Sequence, residues 1–268
     1  MKKLLTFTLI IATAFTTYAQ DASSKKLQAG LTLGGAMSFN TPQTVTIDSK
    51  LGGTFLVGMT MDWNFSTNIG LTTGLEFEFD KFKTFYNDSV YFDYNDKNIF
   101  RVKDFDASKA HSTFLLEERK HNSIYLTIPV MLKFQSSYLG YFRYFGRFGI
   151  RNSFNLMTRA TNEGEGYDND GNMENVSELK DMTSKGTLSF YKGSVGITGG
   201  AEYNITGNTV LVAELGYFYG FSNVFNQGIK NTRSLYNLEN GSRPSDKDGY
   251  YQPSLKQGQL LLKVSVLF

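Results

Sequence analysis

NSIYLTIPVMLKF, residues 122–134, places a large apolar side chain at every second position: Ile124, Leu126, Ile128, Val130, Leu132 and Phe134. Tyr125, Thr127, Pro129, Met131 and Lys133 lie between them. A period of two marks a strand with two unlike faces. Pro129 is awkward in the middle, because proline cannot donate to a ladder and avoids central strands. The sheet holding this strand must therefore tolerate an apolar face, a mixed face and one missing donor.

Seven further runs share that period. The first six start near Leu27, Phe55, Ile69, Phe142, Val195 and Leu211, and the last is QLLLKVSVLF at 259–268. Their connections alternate strictly in length. Ser66–Asn68, Gln135–Gly140 and Thr206–Asn208 are short, whereas 40–53, 82–121, 157–187 and 222–257 are long. In an up-and-down meander this sets all short turns at one end and all long loops at the other, the asymmetry of outer-membrane barrels.

The polar face decides which side is inside. It carries Asp62, Glu76, Glu78, Asp80, Glu202 and Glu214 against Lys133, Arg143, Arg147, Arg151, Lys192 and Lys263, with small residues between. Six acids balanced by six bases suit a narrow interior, where an unpaired charge is expensive. The other face bears about forty large apolar side chains, more than an eight-stranded lumen can hold. They are expected to face lipid. A soluble lipocalin-like binder would place them inward and is the alternative. Aromatic residues such as Trp63, Phe65, Tyr141, Tyr203, Tyr217 and Tyr219 suit interfacial girdles. Pro129 is expected to leave a ladder gap covered by a bulge or an interior polar group.

Composition agrees. The 268 residues include 26 Gly, 23 Phe, 16 Tyr and only 4 Pro, with aromatics at 15%, which favours strands. A net charge of +2 with dispersed basic residues gives no nucleic-acid groove. Cysteine is absent, which excludes disulfides, thiolate metal sites and a lipid-modified cysteine. Lys2 and Lys3 precede the apolar run LLTFTLIIATAF and a small residue at Ala19, so 1–19 reads as a cleaved export signal and 20–268 as the barrel. At the other end Leu260, Leu262, Val264, Val266 and Phe268 share a face and are expected to signal to the barrel-insertion machinery.

YLTIPVMLKF, YFRYFGRFGIRNSF and GSVGITGGAEYNI together resemble the PorT-like outer-membrane β-barrel family common in Bacteroidetes, through Tyr125, Leu126, Ile128, Pro129, Gly196, Gly200, Glu202 and Tyr203. The resemblance spans essentially the whole mature chain and implies a fold rather than an activity.

Few constellations carry chemistry. Asp168, Asp170 and Asn172, in the acidic stretch 163–178, have the first spacings of a calcium loop, yet Met173 replaces the turn glycine and Leu179 the closing Glu. His111 and His121 are the two histidines, too few for a zinc set. His121 and Ser123 could form a hydrolytic pair if a carboxylate oriented them. The expectation is an all-β, antiparallel, eight-stranded transmembrane barrel of the cell outer membrane, ten-stranded if the fourth long loop hides a hairpin. It has no catalytic residues, metal or cofactor, and its long loops meet a protein partner. A small-solute pore and a lipid-modifying enzyme are the functional alternatives.

Overall fold

The computed structural model describes residues 26–95, 98–104, 112–167, 172–174, 176–183, 186–206, 209–228, 230, 233–239 and 243–268. The expected signal at 1–19, His111, Asp168 and Asp170 lie outside them. Among the described residues there are fourteen strands in one sheet: β1 (Leu27–Pro42), β2 (Ile47–Ser49), β3 (Gly52–Asn64), β4 (Ile69–Asn95), β5 (Asn98–Ile99), β6 (Ser112–Gln135), β7 (Phe142–Tyr167), β8 (Met173–Glu174), β9 (Glu178–Thr183), β10 (Tyr191–Thr206), β11 (Thr209–Gly220), β12 (Leu235–Tyr236), β13 (Tyr250–Tyr251) and β14 (Leu255–Leu267). No helix there is long and apolar enough to cross a membrane, which says nothing of crossing by strands.

The long strands pair in chain order: β1 with β3, β3 with β4, then β6, β7, β10, β11 and β14. β14 returns to β1 through Gly30↔Leu267 to Pro42↔Leu255, so this circuit leaves no edge strand. Side chains alternate across the wall. On β14, Leu260, Leu262 and Val264 are exposed, Val266 is half-buried, and Gln259, Leu261, Lys263 and Ser265 between them are buried. Phe268 is exposed at the seam, where its N–H donates to Ala29 O at 2.8 Å.

The outer face has a recognisable band. Ile69, Leu75, Phe77 and Phe79 are exposed along β4, and Phe134, Leu132 and Val130 along β6. The ten residue steps from Ile69 to Phe79, at about 3.4 Å each and tilted by about 45°, rise roughly 24 Å, close to the apolar band of outer-membrane barrels. Aromatic contacts mark both borders: Trp63–Phe65 at 5.1 Å and Phe142–Tyr203 at 4.9 Å beside the short turns, Phe55–Phe79 and Phe154–Phe190 at 6.2 and 5.8 Å beside the long connections.

Much of what reads in the sequence as long loop is structured. β4 runs on to Asn95 and β6 begins at Ser112, paired through Phe82↔His121 and on to Tyr94↔Ser112, so 82–121 is mostly hairpin. β7 likewise reaches Tyr167. The reason is a switch of apolar parity. Up to Phe79 the outward side chains of β4 are apolar apart from Thr73; from Phe82 the inward ones are apolar apart from Thr84, with Phe82, Tyr86, Val90, Phe92 and Tyr94 buried. The outward side of these extensions is ionic instead, with Lys83–Glu118 at 2.7 Å and Lys120 bonded to Glu163. A strand that leaves lipid for water must turn its apolar face inward.

The other connections complete a cap over this hairpin. Ile47, Met182, Leu188, Val224, Phe225, Leu235 and Leu255 pack with the inward residues of β4 and β6 into one apolar cluster. β2 and β12 both pair with β4, and Tyr236 Oη donates to Asp93 at 2.7 Å. The sheet is not wholly antiparallel, since Asn98 and Thr183 join β5 and β9 in parallel within the cap.

Pro129 interrupts the β4–β6 ladder between Thr73↔Val130 and Glu76↔Thr127 without a change of register, so no bulge forms there. On the outer face Thr73 Oγ1 donates to Pro129 O at 2.9 Å, which satisfies the carbonyl of Pro129 itself and does not replace its missing donor.

Candidate functional site

All twelve charged residues of the inward parity are buried, each at most 6% exposed. They do not form isolated pairs. Arg143 is bonded to Glu202, Glu202 to Lys133, and Lys133 to Asp62 at 2.6 Å. Asp62 meets Arg147 at 3.1 Å, Arg147 meets Glu214, and Glu214 meets Lys263 at 3.8 Å. Lys263 then reaches Glu76 at 3.1 Å, and Glu76 reaches Arg151 at 2.7 Å. Arg151 is bonded to Glu78, which lies 3.9 Å from Lys192, and Lys192 ends the run on Asp80 at 3.3 Å. Acid and base alternate at every step through all twelve members. Charge repulsion between neighbours is thereby avoided, and each ion removed from water keeps partners of opposite sign.

The run crosses the lumen repeatedly. Asp62 on β3 meets Arg147 on β7, and Lys263 on β14 meets Glu76 on β4, strands that are not neighbours in the wall. Neutral groups fill several of the remaining valences: Thr72 donates to Asp62 at 2.6 Å, Thr54 to Asp80 at 3.0 Å, and Lys192 to Gln257 at 2.9 Å, whereas Arg147 Nε has no acceptor. Aromatic faces cover the cations, with Phe145 4.3 Å from the Arg147 guanidinium, Phe218 5.1 Å from Arg151 and Tyr125 4.3 Å from Lys192. Two apolar clusters share the interior, Leu56–Met131–Phe218–Leu261 and Phe145–Val210–Val212–Leu267. Of these, parity in the sequence places Met131 inward; the others interrupt a face that is otherwise polar or small and carry no signal of their own.

The cap holds a second group of buried polar residues, on which sequence reading offered only the isolated His121. Arg119 is fully buried; its Nε donates to Asn162 Oδ1 at 2.5 Å and its guanidinium lies 4.9 Å from the Phe92 ring. Its terminal nitrogens have no hydrogen-bond acceptor. Burial lowers its pKa, while the phenols of Tyr86 and Tyr251 oppose that shift. His121 stacks on Phe82 at 4.6 Å, with Nε2 3.3 Å from Thr84 Oγ1. Burial, helped by the neighbouring Arg119 charge, holds its imidazole well below the ordinary histidine range.

His121 and Ser123 point inward but have different partners. Ser123 Oγ lies 3.1 Å from Thr158 Oγ1, and the imidazole contacts Thr84, Phe82 and Phe225. The acidic stretch is dispersed: Glu163 bonds Lys120, Glu165 accepts from Tyr167 Oη at 2.8 Å, Glu174 accepts from Tyr94 Oη at 3.4 Å, and Glu178 meets Lys180 at 3.0 Å. Among the described residues no three His, Asp or Glu side chains converge to hold a metal.

A closed wall with an ionic interior and an apolar outer band defines a protein built to sit in a membrane. The chain belongs to the outer membrane protein beta-barrel domain family, whose profile matches residues 18–226. It is a protein of the Gram-negative outer membrane. No curated protein sequence matches it. Among solved structures, Neisserial surface protein A is similar at 11% identity over 91% of this chain and 98% of that one, with a TM-score of 0.37. Ail, the attachment invasion locus protein of Yersinia pestis, has 13% identity over 91% and 100%, with a TM-score of 0.33. OprG from Pseudomonas aeruginosa has 8% identity over 92% and 98%, with a TM-score of 0.42.

Proposed function

We propose that this chain is a non-enzymatic, eight-stranded outer-membrane barrel of the PorT-like kind, closed to solutes, whose cap is the contact surface for a protein partner at the cell surface or in secretion. The spanning strands in this reading are β1, β3, β4, β6, β7, β10, β11 and β14, and the six short strands belong to the cap. The uninterrupted run of alternating ions through the lumen carries it. A conducting path needs water-lined space, whereas here each charge is directed at another side chain and aromatic rings cover the cations. The separate partners of His121 and Ser123 support a role without hydrolysis.

The cap supplies the recognition surface. A cleft of about 490 Å³ opens on it, lined by Leu156, Met157, Leu188 and Phe190 together with Arg101 and Arg159, an apolar floor with cationic groups suited to a polypeptide. Photo-crosslinkers placed at the exposed Met173 and Lys103 in living cells are expected to yield one discrete protein adduct, with none from Thr67 in the short turn at the opposite end. Identical adduct patterns from both ends, or none from the cap, would contradict the reading.

A further inference from the structure

Glycines in the wall divide into two kinds. A Cβ added to inward-facing Gly58 would lie 2.2 Å from Leu75 O, and one on Gly196 would lie 2.2 Å from Tyr217 O, so backbone and interior packing require glycine there. Gly35 and Gly53 face outward and meet no such limit. A Cβ on Gly53 has nothing within 4 Å, and one on Gly35 meets only Thr54 O at 3.5 Å. Glycine weakens a strand unless something approaches it closely.

The registers place these two glycines together. One cross-strand row on the outer face runs Leu215–Leu262–Gly35–Phe55–Phe79, and the next runs Tyr217–Leu260–Met37–Gly53–Lys81. Each row lacks one large side chain, and the two gaps are diagonal neighbours. They form a groove of about 890 Å³, within the roughly 300–1,000 Å³ of ligand sites. Phe55, Phe79 and Met37 wall it. Lys81, exposed and directly across from Gly53, stands at its end nearest the cap. Lys50 stands on the same outer face farther toward the cap, its ammonium over Phe85 at 4.6 Å. No described carboxylate pairs with either lysine; exposed Asp48 accepts the Ser49 N–H at 2.7 Å.

We infer that this groove is a binding site for a phosphate-bearing lipid of the outer leaflet, with one acyl chain lying over Gly35 and Gly53, a phosphate on Lys81 and the headgroup extending toward Lys50. Apolar groove and unpaired cations meet at the border of the apolar band, where a lipid's tail and headgroup also meet. A zwitterionic lipid brings its own cation and gains less from the two lysines. The inference rests on the outer face meeting lipid and is independent of any partner at the cap.

Native mass spectrometry of the full chain in detergent, offered equal amounts of a diphosphorylated glucosamine lipid and a phosphatidylcholine, tests it. The wild type should retain one copy of the phosphorylated lipid in preference. Gly53→Leu, which fills the groove and leaves the interior untouched, should lower that retention about tenfold, as expected for about two methylenes displaced. Lys81→Gln and Lys50→Gln should each reduce the preference about fivefold. Gly146→Leu fills an outward glycine with no neighbour nearer than Thr198 O at 3.8 Å, and should change nothing. Circular dichroism checks that each variant folds. Equal retention of both lipids by the wild type, undiminished retention by Gly53→Leu, an equal loss with Gly146→Leu, or a dimer that Gly53→Leu dissociates would each overturn the site.

Discussion

Asp62 holds two cations at once, Lys133 at 2.6 Å and Arg147 at 3.1 Å, and accepts a third bond from Thr72. Removing one partner of a buried ionic set costs about 3–5 kcal/mol, because the charges left behind cannot recover their hydration. Asp62→Ala should therefore lower stability by about that amount, read from urea unfolding of the chain in lipid vesicles. A loss below about 1 kcal/mol would mean that water already reaches the ions.

His121 sets a different expectation. Its imidazole stays neutral in the folded cap but protonates in the unfolded chain below pH 6.5, its ordinary value. The unfolded state then binds the extra proton, so stability present above that pH is lost as the pH falls, by up to about 1.4 kcal/mol per unit. His121→Phe should flatten the cap's stability profile between pH 7 and 5, and an unchanged slope would assign the effect to another group. Parity alone gave the inward placement of these residues. Which ion meets which was not legible, because Lys133, Glu202 and Asp62 sit on strands separated in the wall, and the offset that joins them depends on how the wall shears as it closes.

At the scale of elements, the β4–β6 hairpin joins two environments. Its lower half is apolar outside and ionic inside; its upper half is ionic outside and apolar inside. Sequence reading ended both strands at that switch, near Phe82 and His121, because a pattern that changes sides resembles a pattern that stops. The upper half is held by ordinary burial, with Phe92 and Phe114 rings 5.4 Å apart and neither accessible to solvent. Phe92→Ala should cost about 3–5 kcal/mol locally. Limited proteolysis in vesicles should then cut within the cap while the embedded strands survive as a core. Cleavage no faster than in the wild type would show that the cap does not depend on this cluster. Pro129 belongs to this scale too: the ladder gap follows from proline chemistry, but the hydroxyl that satisfies its carbonyl, Thr73 on the outer face, could be assigned only once the two strands were in register.

For the whole molecule, an exported chain has to satisfy lipid on its flank, water above and its own charges within. Alternation of short and long connections made the overall plan legible, since it needs only chain order. The folded cap was less so, because its apolar residues come from all four long connections and no single segment carries a periodic signal: Ile47, Phe82, Met182 and Phe225 meet only in three dimensions. In the proposed reading, the ion run and the cap together fill the interior from one end to the other. Planar-bilayer recording of the purified chain is the most direct test. A filled interior predicts no steady unit conductance above the bare membrane, with or without the cap loosened by Phe92→Ala. A stable, ohmic single-channel current from the wild type would contradict the account at its centre.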